Sequence, residues 1–142
     1  MIDKEAVLVV DADVNEIDAV TGFIEKLLED VPFCAETRAQ LDVAVEEIFV
    51  NISRYAYIEG TGKVTIRGSV TAEPPHTVTL AFEDEGKAFN PLVRKTPDLT
   101  PAGRRHQVGG LGIFLARSMS DAIGYERFKG KNILTIKKNL MK

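Results

Sequence analysis

Leu41-Asp42-Val43-Ala44-Val45-Glu46-Glu47-Ile48-Phe49-Val50-Asn51-Ile52 is the stretch whose pattern decides the fold. Leu41, Ala44, Val45, Ile48, Phe49 and Ile52 recur at three- and four-residue intervals, the signature of one buried helical face. The spacing predicts a helix from about Ala35 to about Tyr57, stopped by Gly60 and Gly62. At ~100° per residue, Glu47 and Asn51 are neighbours one turn apart, at the edge of the apolar stripe. A carboxylate and an amide in that position can project into a cleft between helix and sheet. On the helix alone, an ordinary solvated face is the commoner reading.

Upstream, Ala6 to Val10 is short and β-branched and reads as a strand. Asp13, with Glu16 three residues on, resembles a capping box opening a helix from Val14 to Leu28, and Pro32 closes that segment. Downstream, Lys63 to Thr71 and Thr77 to Glu83 alternate like strands, joined through Glu73-Pro74-Pro75-His76 in a wide hairpin. An irregular stretch from Asp84 to about Gly110 is long for a connection and suits a functional loop. Leu111 to Ala122 reads as a helix. Tyr125 to Phe128 and Ile133 to Lys137 read as a closing hairpin around Gly130. The order β, α, α, β, β, loop, α, β, β predicts an α+β fold, with helices on one face of a mixed, largely antiparallel sheet.

The chain has 142 residues, 44% hydrophobic and 27% charged, enough to bury the core of a single domain. Its 18 basic residues are outnumbered by 21 acidic ones, for a net charge of −3. That balance argues against direct nucleic-acid binding, which needs a basic surface. Cys34 is the single cysteine, so neither an internal disulfide nor a multi-cysteine zinc site is available. No apolar run has membrane-spanning length, and Met1-Ile2-Asp3-Lys4-Glu5 lacks the order of a signal peptide. A cytoplasmic setting without membrane partners is the expectation.

Two further stretches carry chemistry. Phe82-Glu83-Asp84-Glu85-Gly86-Lys87-Ala88-Phe89-Asn90-Pro91 runs a strand into Asp-x-Gly, which brings a carboxylate to a strand end beside a glycine. By itself this is also a common turn. Val108-Gly109-Gly110-Leu111-Gly112-Ile113 opens a helix with three glycines after the basic Arg104-Arg105-His106. Bare N–H groups and the positive helix end there suit a phosphate. The pattern is neither a Walker A loop nor a dinucleotide fingerprint.

Together, in order, Glu47-x-x-x-Asn51, Asp84-x-Gly86 and Gly110-x-Gly112 resemble the GHKL ATPases. Arg54-Tyr55-Ala56-Tyr57 and Asp84-x-Gly86-x-x-Phe89-x-Pro91 look most like the bacterial anti-sigma factor serine kinases. The resemblance covers about Leu8 to Lys138 and implies a two-layer α/β sandwich of the Bergerat type. It implies a protein serine/threonine kinase that uses ATP and Mg²⁺. Glu47 would be the general base and Asn51 the magnesium ligand. Asp84 would accept from the adenine amino group, with Gly86, Ala88 and Phe89 around the ring and Thr135 supplying a nearby hydroxyl. Gly110, Leu111, Gly112 and Ile113 would give N–H groups to the phosphates. Arg105 would sit on an ATP lid of about 92–110.

The implied partners are a sigma factor and a STAS-type anti-anti-sigma protein, with the chain as a homodimer. One departure is Tyr55, where many relatives carry histidine; a phenol donates a hydrogen bond but has no cationic form at neutral pH. A non-catalytic ATP-binding switch of the same fold is therefore the alternative to a kinase. Glu83 and Glu85 flank Asp84 in sequence and would weaken an adenine site unless they face solvent.

Overall fold

The computed structural model describes residues 4–57, 61–93 and 111–141. Strand β1 (Lys4–Asp11) leads through a 3-10 turn (Val14–Glu16) into helix α1 (Ile17–Leu27), and α2 spans Ala35–Tyr55. Strands β2 (Lys63–Val70) and β3 (Thr77–Asp84) follow, then a 3-10 turn (Pro91–Val93), α3 (Leu111–Met119), β4 (Ala122–Phe128) and β5 (Lys131–Asn139). The five strands form one sheet in the order β1-β2-β3-β5-β4, and every pairing among them is antiparallel. This is the α+β sandwich expected from the element order, with no parallel pair among the described residues.

Register explains where the core lies. Leu8, Ile66, Phe82, Leu134 and Tyr125 form one row across all five strands, each opposite its neighbour on the same face. Val20, Ile24 and Leu27 of α1 and Leu41, Ala44, Val45, Ile48, Phe49 and Ile52 of α2 close over that face. Phe49 and Phe82 are fully buried, each stabilising the fold by roughly 1.5–3 kcal/mol relative to exposure. The next row toward one sheet end is Val10, Val64, Asp84, Asn132 and Arg127. There the apolar pattern gives way to polar groups on the same face, and the core opens into a site.

Local signals set the ends of the elements. The Asp13 side chain accepts from Asn15 N–H and caps a 3-10 turn ahead of α1, but Asp13 N–H donates to Asp11 O and not to Glu16, so the capping box is not completed. Helix α3 stops at Met119, three residues short of the expected end. Ser120 Oγ donates to the Ala116 carbonyl, and Asp121 N–H already donates to Lys137 O of the sheet. Ala122 therefore begins β4, opposite Lys137, instead of ending the helix. No helix among the described residues is long and apolar enough to cross a membrane.

Candidate functional site

The inward positions of β3 are Val78, Leu80, Phe82 and Asp84, so strand alternation delivers a carboxylate where the core ends. Asp84 is 5% exposed and would be costly to bury without partners. Its Oδ1 accepts from Gly86 N–H at 2.9 Å and from the Asn132 side-chain amide at 2.9 Å. No hydrogen bond among the described residues reaches Oδ2. The strand end is thus a turn closed on its own carboxylate, with one oxygen left over.

An open cleft between α2 and the sheet has Asp84 in its lining. Asn51, Ile52 and Tyr55 of α2, with Ala56 at its C-cap, form one wall. Asp84, Leu134, Asn132 and Tyr125 form the sheet side, and Lys87, Phe89 and Pro91 close the rim. The cleft is lined mainly by apolar surface with a few polar side chains, Asn51, Asp84, Lys87 and Asn132, the usual build of a small-molecule site. Asp84 is the single carboxylate lining it among the described residues.

Gly86 sits directly under α2: its N–H is tied to Asp84, and the next residue's N–H, Lys87, donates to Ala56 O at 3.1 Å. Arg127 donates to Gly86 O at 3.0 Å and holds the turn from the β4 side. Tyr57 braces the same region: its hydroxyl donates to Lys63 O at 2.7 Å and accepts from Glu85 N–H at 2.8 Å. Burial pushes the Tyr57 phenol pKa up; the Glu85 N–H opposes this, and the Asp84 and Glu85 charges add to the rise.

Asn51 and Asp84 come together in one cleft, with Phe89 at its rim, 38% exposed. Ala88 is exposed on the same turn and Gly86 is buried beneath it. One helical turn before Asn51, Glu47 is half-buried and its carboxylate meets Gly112 in the first turn of α3. Ile113 is 5% exposed and packs into the core. Leu111 begins α3. Arg105, Gly110 and most of the expected 92–110 lid lie outside the described residues.

One expectation changes. Thr135 is on the opposite face of the sheet from the cleft, because Asn132, Leu134 and Ile136 are the inward residues of β5. Thr135 therefore does not line the cleft, and Asn132 holds the inward place opposite Asp84. Glu83 also faces outward, paired with Arg67, and Glu85 is exposed, so neither crowds Asp84 from within the cleft. Asn132, Tyr125 and Lys87 were not singled out from sequence. The signal for Asn132 was the two-residue alternation of β5, which puts a polar residue at the start of an inward apolar series.

Residues 10–138 match the family described as histidine kinase-like ATPase domain. Over 105 residues the chain is 30% identical to the serine/threonine-protein kinase BtrW of Bordetella bronchiseptica, covering 72% of this chain and 70% of that protein. The fold is similar to the crystal structure of the RsbU and RsbW domains of Rv1364c from Mycobacterium tuberculosis, with TM-score 0.60 and 15% identity, over 95% of this chain and 32% of that one. It is also similar to the histidine kinase domain from the Erythrobacter litoralis EL346 blue-light activated histidine kinase. There the TM-score is 0.56 at 14% identity, over 89% of this chain and 60% of that one. This chain spans less than two thirds of either solved chain, and at these identities the likeness is one of fold.

Proposed function

Because the chain belongs to the histidine kinase-like ATPase domain family, we propose that it is a serine-protein kinase acting as an anti-sigma regulatory factor. It binds Mg-ATP in the α2–sheet cleft, phosphorylates a serine of a STAS-type antagonist and sequesters a sigma factor. The supporting observation is the convergence of Asn51 and Asp84 in one cleft, with Glu47 one turn along α2 toward Gly112.

Asp84 Oδ2 accepts from the adenine amino group, and Phe89 packs on the ring from the rim. Gly86 and Ala88 let the turn approach it. The phosphates run along α2 toward the start of α3, where N–H groups of Gly110, Leu111, Gly112 and Ile113 receive them at the positive end of the helix. Arg105, on the 92–110 lid, neutralises the terminal phosphate.

The donor set fits magnesium. No group of three or more His, Cys, Asp or Glu that could cage a metal exists among the described residues, and Asn51 offers one side-chain oxygen. Mg²⁺ keeps several waters and is completed by phosphate oxygens, so one protein ligand suffices. When bound, the ion supplies charge neutralisation on the phosphates.

Glu47 takes the proton from the substrate serine as its Oγ forms a bond to the γ-phosphorus. The bond from that phosphorus to the bridging oxygen breaks, and ADP leaves with the electron pair. A carboxylate is a modest base, so position supplies most of its effect. A cytoplasmic homodimer is part of the same reading, as for the family resembled.

A second reading is an ATP-binding switch without phosphoryl transfer. Tyr55, 37% exposed and lining the cleft, favours it, since this phenol stands where many relatives have histidine. Incubation with labelled Mg-ATP and STAS-domain proteins separates the two. Label on a partner serine, lost in Glu47→Ala, supports the kinase. Tight ATP binding with no label on any partner supports the switch.

A further inference from the structure

Asn132 is 7% exposed, and its side chain is fully engaged. Nδ2 donates to Asp84 Oδ1 at 2.9 Å and to Lys87 O at 2.8 Å. Oδ1 accepts from Phe89 N–H at 3.2 Å and from Tyr125 Oη at 2.5 Å. A primary amide has two donor hydrogens and two acceptor lone pairs, and all four are used. The reverse orientation of the amide would set its oxygen against a carboxylate and a carbonyl, so the network admits one orientation.

An amide saturated in this way has nothing left for a ligand. Its effect falls on Asp84, whose χ2 torsion is intrinsically broad. Gly86 N–H and Asn132 Nδ2 together fill Oδ1, which fixes the carboxylate plane and leaves Oδ2 as the oxygen free to meet a donor. The same side chain ties Lys87 and Phe89, the rim of the cleft, to β5. Resting on the reading of this cleft as the adenine site, we propose that Asn132 is a positioning residue for base selectivity. It touches no nucleotide atom. It orients Asp84 so that an amino-bearing purine edge is favoured over one lacking that group.

The test compares ATP with purine riboside 5′-triphosphate, which lacks the 6-amino group, by calorimetry on the full chain. The wild type is expected to prefer ATP by roughly tenfold or more, the range of a hydrogen bond to a charged group. In Asn132→Leu that preference falls to within about threefold, because ATP binding weakens much more than analogue binding. Tyr125→Phe removes one donor to the amide, is near-isosteric, and is expected to lower the ratio in the same direction if Asn132→Leu does not fold. Variants that weaken both ligands alike, with the ratio kept, overturn the inference alone. A wild type that binds neither ligand, or both equally, overturns the adenine-site reading and the inference with it.

Discussion

The Glu47 carboxylate rests against the α-carbon of Gly112: a β-carbon at position 112 would stand 2.5 Å from Glu47 Oε2. This contact joins the edge of α2 to the first turn of α3, the two elements assigned to proton abstraction and phosphate binding. The obstructing atom is the end of a flexible side chain, so an added methyl group displaces the carboxylate more than the backbone.

Gly112→Ala is accordingly expected to damage activity more than folding. Alanine favours a helix over glycine by about 1 kcal/mol, which offsets the crowding. Phosphoryl transfer to a partner serine should fall by roughly tenfold or more as the base loses its position. The melting temperature should change by a few degrees at most. Unaltered transfer in a folded Gly112→Ala protein would contradict the role given to Glu47.

Gly86 presents the opposite case. A β-carbon there would lie 2.1 Å from the Ala56 carbonyl oxygen, a backbone atom at the end of α2 that has no side-chain freedom to yield. Gly86→Ala should cost about 3 kcal/mol of stability through overpacking. Urea unfolding measures it, and an unchanged midpoint would show that the turn and helix are not locked together.

Tyr57 links the same turn to pH. Its phenol titrates above the ordinary value of 10.0, chiefly through burial. A group whose folded pKa is raised contributes stability that is complete below its unfolded pKa and disappears as pH climbs through the folded one. The unfolding midpoint of the wild type should therefore drop above about pH 10 more steeply than that of Tyr57→Phe. The variant should also be less stable at neutral pH, having lost hydrogen bonds to Lys63 O and Glu85 N–H. Parallel pH profiles for the two proteins would count against it.

The long apolar series of α2 was legible because six buried positions repeat at one spacing over a 21-residue helix. Glu47 and Asn51 were placed at the edge of that stripe, and both are half-buried there. Strand parity is legible too, and along β5 it decides which residues face the cleft. Counting inward from Leu134 and Ile136 assigns Asn132 to the cleft and Thr135 to the outer face. The end of α3 was not legible. Helix and strand meet across Ser120 and Asp121, and a cross-sheet hydrogen bond to Lys137, not local propensity, decides the boundary. Three of the four Asn132 side-chain bonds join groups 43 to 48 residues apart in the chain, which no local pattern reveals.

Calorimetric titration of Mg-ATP into wild type and Asp84→Asn tests the nucleotide cleft most directly. In the variant, the side-chain oxygen can keep the bonds from Gly86 and Asn132 while an NH₂ replaces Oδ2. The turn is thereby preserved, and a donor faces the adenine amino group. Saturable heat in the wild type, with affinity at least roughly tenfold lower in the variant, is the expected result. No heat from well-folded wild type, or equal affinity in both proteins, would contradict a magnesium-nucleotide site between α2 and the sheet.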